Sequence, residues 1–128
     1  MKINELLEKH PLATEVVRTW FFEQMVKSFE DENVPEEFKE MMKQEGVTNE
    51  RLAILIDAQP RILFDVFDEN EIYIAVFYTP NTFMVSINQS DLGLKYKTRK
   101  EAELVAVEKA FELLEEKLKP IDLPALEE

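Results

Sequence analysis

The residues with the clearest chemical potential are four cations, Lys95, Lys97, Arg99 and Lys100, gathered around the start of a predicted helix. Thr98 with Glu101 three positions later forms a capping box, in which each side chain satisfies one orphan backbone N–H. A helix start carries partial positive charge, so Lys97, Arg99 and Lys100 sit where the dipole disfavours them. A local rule broken in this way points to an anion held from outside or to acidic neighbours that offset the charge. These four residues are therefore the candidate contacts for an anion or a partner.

Other chemistry is scarce. His10 is the only histidine and there is no cysteine, so a histidine cluster, thiolate catalysis and disulfides are excluded. Next to Pro11, His10 reads as a surface or helix-end residue rather than a catalytic one. Asp65, Asp68, Glu69 and Glu71 invite a hard-metal reading, but metal loops use a glycine for their sharp turn and this segment has none. A solvated hairpin tip is the better account. The chain has no glycine-rich phosphate loop, no nucleophile elbow and no H-E-x-x-H motif. The expectation is a protein that is not an enzyme and needs no metal or cofactor.

Aromatic residues supply a different kind of site. Trp20-Phe21-Phe22 lies in a stretch whose apolar residues Val17, Phe21, Met25 and Phe29 recur every four positions. Leu12, Val16 and Trp20 make a second stripe, and Phe22 with Val26 widens the first. Trp20 is expected to pack in the core. So broad an apolar surface implies burial from several sides or contact with a partner. Phe21, Phe22, Met25 and Phe29 are the candidate interface.

The elements that must position these residues follow from the hydrophobic period. A short helix over 4–10 precedes a long one from Leu12 to about Phe29. Pro35 with Glu36 and Glu37 opens a third, with Phe38, Met41 and Met42 inward and Gly46 as its stop. A fourth runs from Thr48 or Asn49 to Gln59 and buries Leu52, Leu55 and Ile56. The period then changes to two, and Arg61–Phe67, Ile72–Thr79 and Thr82–Asn88 read as strands of an antiparallel meander. Leu94–Lys97 adds a short fourth strand. The middle strand is apolar on both faces, so cover is expected on both. The last helix, Arg99–Leu118, carries Leu104, Val107, Phe111, Leu114 and Leu118 inward, with Ala102, Ala106 and Ala110 allowing close approach to the sheet.

The expected architecture is α+β: a helical N-terminal half, then a three- or four-stranded antiparallel meander packed on one long C-terminal helix. At 128 residues it reads as one domain, with 1–59 helical, 60–97 sheet, 98–119 helix and 120–128 tail. In the tail, Ile121, Leu123 and Leu126 are apolar among acids. No run is long enough to span a membrane and the N-terminus lacks a signal-peptide pattern, so the cytoplasm is expected. The net charge is −12, and because residues 90–101 carry +2, the rest of the chain carries −14. That balance opposes general affinity for nucleic acid or anionic lipid.

The segment from Gly93 through Thr98-Arg99-Lys100-Glu101-Ala102-Glu103, then Val105-Ala106 and Ala110, resembles the last strand and final helix of double-stranded-RNA-binding domains. The Phe83-Met84-Val85-Ser86-Ile87 strand stands upstream where such a domain places one. The resemblance implies a sheet backed by this helix, with the basic helix start facing phosphates across the RNA major groove. It covers residues 82–118. Three departures accompany it: Glu103 replaces the third cation of the pattern, the loop that enters the minor groove has no counterpart at Pro80-Asn81, and an extra strand, Arg61–Phe67, intervenes. The last helix, Arg99-Lys100-Glu101-Ala102 through Lys109-Ala110-Phe111-Glu112, also resembles small uncharacterised proteins of bacterial phages and mobile elements.

The functional expectation is a non-enzymatic protein-interaction module that self-associates and recognises a protein partner. The alternative is a nucleic-acid-binding module using Lys97–Lys100, with an acidic nucleic-acid mimic as a further variant resting on charge alone.

Overall fold

Ala102, Ala106 and Ala110 are wholly buried along the last helix, α6 (Arg99–Leu118), and let it lie close to its neighbours. Val107, Phe111 and Leu114 on the same helix are also wholly buried, and Phe111 meets Phe67 edge-on with ring centroids 5.6 Å apart. The computed structural model describes residues 3–31 and 35–119, the side chains of residues 29–31, 38, 42 and 45 excepted. Its elements before α6 run α1 (Ile3–Lys9), α2 (Pro11–Asp31), α3 (Glu36–Glu45), α4 (Asn49–Ala58), a 3₁₀ turn (Pro60–Leu63) and α5 (Phe64–Glu69). Strands β1 (Ile74–Thr79), β2 (Thr82–Ile87) and β3 (Ser90–Tyr96) follow. The architecture is α+β, with a helical N-terminal half and a three-stranded antiparallel sheet of order β1-β2-β3 leading into α6.

Capping chemistry sets several boundaries. Thr48 accepts a hydrogen bond from the Arg51 N–H at 3.3 Å and starts α4, while Thr98 accepts from the Glu101 N–H at 3.1 Å and starts α6. Two-residue turns join the strands. Asn81 at φ 66° closes the first, and Asn88 and Gln89 at φ 52° and 70° close the second.

Several expectations differ from the structure. Arg61–Phe67 is not a strand but the 3₁₀ turn and α5, so the helical part runs on to Glu69 and the sheet begins at Ile74. The β-branched and aromatic content suited a strand, yet the buried residues, Pro60, Leu63, Val66 and Phe67, fall at helical spacing. Asp68-Glu69-Asn70-Glu71 therefore ends a helix rather than turning a hairpin. The segment ending Leu94–Lys97 is a full third strand, which starts at Ser90 and buries Tyr96. Met41, expected inward, is 43% exposed, and Leu55 is 40% exposed where Leu52 and Ile56 are buried. Phe38 and Met42 lie outside the described side chains.

The sheet is covered on one side. Ile74 and Val76 pack toward the core with Val85, Ile87 and Tyr96, whereas Tyr73 and Phe77 point the other way. Cover on both faces of Ile72–Thr79 was expected; among the described residues the face bearing Tyr73 and Phe77 is open, with Tyr73 56% exposed.

Candidate functional site

Long helix α2 divides its side chains between core and surface. Ala13, Val17 and Phe21, at four-residue steps, are buried. Val16 and Trp20 come round to the next face and are only partly covered. The indole Nε1–H of Trp20 donates to Glu69 Oε2 at 2.7 Å, which ties α2 to the end of α5 and fixes the ring's orientation.

Open space flanks that indole on both sides. One cavity, of about 370 Å³, has an apolar floor of Val16, Trp20 and Val66 and an acidic margin of Glu15, Glu23 and Glu69. The other, of about 420 Å³, lies between α2 and α4 and is lined by Trp20, Phe21, Met25, Val47, Leu55 and Ile62. Trp20 lines both cavities, which together are termed the Trp20 groove. Arg18 holds the α2–α4 side in place, with its guanidinium donating to the Val47 carbonyl and Asn49 Oδ1 and pairing with Glu15 at 3.0 Å.

The expected interface residues are spread by this geometry. Met25 lines the groove, Phe22 is partly buried against the core, and Phe21 is buried with only 9% exposure. Phe29 lies outside the described side chains. Trp20, expected as a core residue, is instead the centre of the groove. Its position could have been found from the helical wheel, because Trp20 falls one step off the Ala13–Val17–Phe21 row.

The four cations lie at the β3–α6 junction, with Lys95 on β3, Lys97 between the two elements, and Arg99 and Lys100 in the first turn of α6. Lys95, Lys97, Arg99 and Lys100 are all exposed, and among the described residues none of them forms an ion pair. The Arg99 guanidinium stands 5.0 Å from the centroid of the Phe83 ring, which in turn meets the Tyr78 ring at 5.5 Å. Glu103 turns away from this patch. Its carboxylate is buried and pairs with Arg61 of the 3₁₀ turn at 3.5 Å.

Of the remaining polar candidates, His10, Glu69 and Glu71 have structural partners. His10 is buried rather than at the surface; its Nδ1–H donates to the Leu6 carbonyl at 2.9 Å at the end of α1. Glu71 pairs with Lys117 at 3.5 Å. Among the described residues no group of three or more histidines and carboxylates is placed to hold a metal ion. Tyr96 alone among them has a buried side-chain polar atom, its hydroxyl, without a hydrogen-bond partner. Burial raises its pKa above the usual tyrosine value, with Glu101 and Glu108 adding to the effect.

No protein-family model, curated protein or solved structure matches the chain. No helix among the described residues is long and apolar enough to cross a membrane.

Proposed function

We propose that this protein is a non-enzymatic protein-interaction module that self-associates and receives an apolar, cation-bearing partner segment in the Trp20 groove. The observation that carries the reading is the pairing of an apolar floor with the Glu15–Glu23–Glu69 margin around one orientated indole. Partly exposed aromatic anchors in a concave site are where binding energy concentrates, and acids at the rim favour a basic partner. An amphipathic helix with one apolar and one lysine-bearing face matches that shape and charge.

Trp20 is the single tryptophan, so its fluorescence reports the groove without labelling. An amphipathic leucine–lysine helical peptide should shift and saturate that emission. An isomeric peptide of scrambled order should not, and Glu15→Lys with Glu23→Lys, both exposed, should weaken the response. Equal responses to both peptides, or none to either, would remove the reading.

A second reading draws on the cationic patch. Four cations that form no ion pair among the described residues, beside the Tyr78–Phe83–Arg99 ladder, resemble surfaces that take nucleic-acid phosphates and bases. The helical state of Arg61–Phe67 removes the extra strand from that comparison, and the inward turn of Glu103 removes a surface acid. The charge of −14 on the rest of the chain weighs against it.

A further inference from the structure

The two edges of the sheet are built differently. Edge strands expose unpaired N–H and C=O groups, and proteins blunt them with charges, prolines or bulges. β3 is blunted: it carries Asp91 and Lys95, its pairing with β2 is irregular between Met84 and Ser86, and Gly93 sits at φ +76°. β1 is not. From Ile72 to Thr79 it has no charge, no proline and no glycine, and its register with β2 is regular throughout. Among the described residues no strand pairs with its other edge.

The groups on that edge can be named. The Asn88 N–H donates to the Tyr73 carbonyl at 2.8 Å, so alternation aims the N–H and C=O of Ile74, Val76 and Tyr78 away from β2. Side chains along the same strand are unusually exposed for their type: Tyr73 56%, Phe77 39% and Tyr78 64%.

We infer that the free edge of β1 pairs antiparallel with β1 of a second copy of this chain about a two-fold axis at Val76, joining two sheets into one of six strands. The inference rests on the self-association proposed above and assigns it a surface. Three features favour a second copy as occupant. An antiparallel edge is self-complementary under a two-fold axis, so one strand satisfies itself. Pairing about Val76 sets Ala75 opposite Phe77 of the partner subunit, small against large, and Ile74 opposite Tyr78 of the partner subunit. Two chains that each carry −12 approach with least repulsion where neither has a charge, and Ile72–Thr79 is such a stretch.

Light scattering on the full chain, combined with residue-resolved amide exchange over a concentration series, tests the pairing. The mass should rise from 15.1 kDa to twice that value, and exchange at Ile74, Val76 and Tyr78 should slow in step. Val76→Pro removes one outward N–H without touching the β2 ladder, and Phe77→Lys adds the cation that edges normally carry. Each should abolish the dimer, and the lysine variant, at an exposed site, tests it with little demand on folding. A dimer whose three amides still exchange freely, or one that survives Phe77→Lys, would overturn the β1 assignment while leaving self-association standing. A monomer at all concentrations would overturn both. Protection at these amides that does not vary with concentration would mean a segment of the same chain covers the edge, and would also overturn the inference.

Discussion

Glu115, near the end of α6, accepts a hydrogen bond from the backbone N–H of Ala13, in the first turn of α2, at 2.8 Å. The carboxylate is buried and supplies the acceptor that an N-terminal turn needs, from a helix far away in the chain. One side chain thus joins the two longest helices, α2 and α6, and orients the face of α2 that bears Trp20.

Removing that carboxylate should loosen the helix pair. Hydrogen bonds to charged groups contribute about 1.5–3 kcal/mol, so Glu115→Ala should cost roughly that amount in chemical denaturation. Glu115→Gln keeps a neutral acceptor and should lose less. Equal losses for the two variants would show that a neutral acceptor cannot replace the carboxylate and that the contact depends on its charge.

Phe111 is wholly buried against Phe67 and lies 6.4 Å from the His10 ring. Truncating a buried phenylalanine usually costs about 3–5 kcal/mol, so Phe111→Ala should sharply lower the melting temperature or prevent folding. Trp20→Ala should cost less, because its ring is only partly covered. Loss of the Glu69 bond and of groove-dependent fluorescence would accompany it.

The order of elements is legible in the sequence where local signals are strong. α6 was legible from end to end because Thr98 caps it, Pro120 follows it and its apolar residues keep helical spacing. Arg61–Phe67 reads as a strand because a seven-residue run is too short for its period to separate helix from strand, and its residue types favour strands. The groove was half legible. Its aromatic residues stood out, but which of Trp20, Phe21 and Phe22 faces outward depends on where α6 and α1 press on α2. The Ala13–Glu115 contact spans 102 positions and leaves no local signature. The open face of β1 was hidden for the same reason, since alternating apolar residues do not say whether a second layer exists.

Tyr96 should make the protein sensitive to alkali. Its folded pKa is raised above the unfolded value, so its stabilising effect is complete below about pH 10 and is lost as pH climbs through the folded pKa. Tyr96→Phe removes both the titrating group and an unpartnered buried hydroxyl. The variant should match or exceed the native stability at pH 7 and lose less between pH 9 and 11, as read by urea denaturation at each pH. A variant weaker at neutral pH would indicate that the hydroxyl has a partner in solution.

The cationic helix start separates the two functional readings. Arg99→Glu with Lys100→Glu places acids where the α6 dipole prefers them, a gain of about 0.3–1 kcal/mol for each. The same change removes the Arg99 contact with the Phe83 ring, worth about 0.5–1 kcal/mol at an exposed site. These effects oppose each other, so the net change in stability should lie between a loss of about 0.4 and a gain of about 1.5 kcal/mol. If Lys97, Arg99 and Lys100 serve phosphates, duplex RNA should bind with an affinity that falls steeply as salt rises, because neutralised phosphates release counterions. The double substitution should then abolish binding without harming the fold. The expected result is no retardation of duplex RNA at physiological salt, because the −14 of charge on the rest of the chain repels a polyanion. Retardation that is lost in the double variant would move the nucleic-acid reading ahead of the protein-interaction one. If instead the substitution leaves RNA irrelevant but weakens self-association, these cations meet carboxylates across the dimer. That outcome would explain why a strongly acidic chain keeps four cations at the β3–α6 junction that form no ion pair among the described residues.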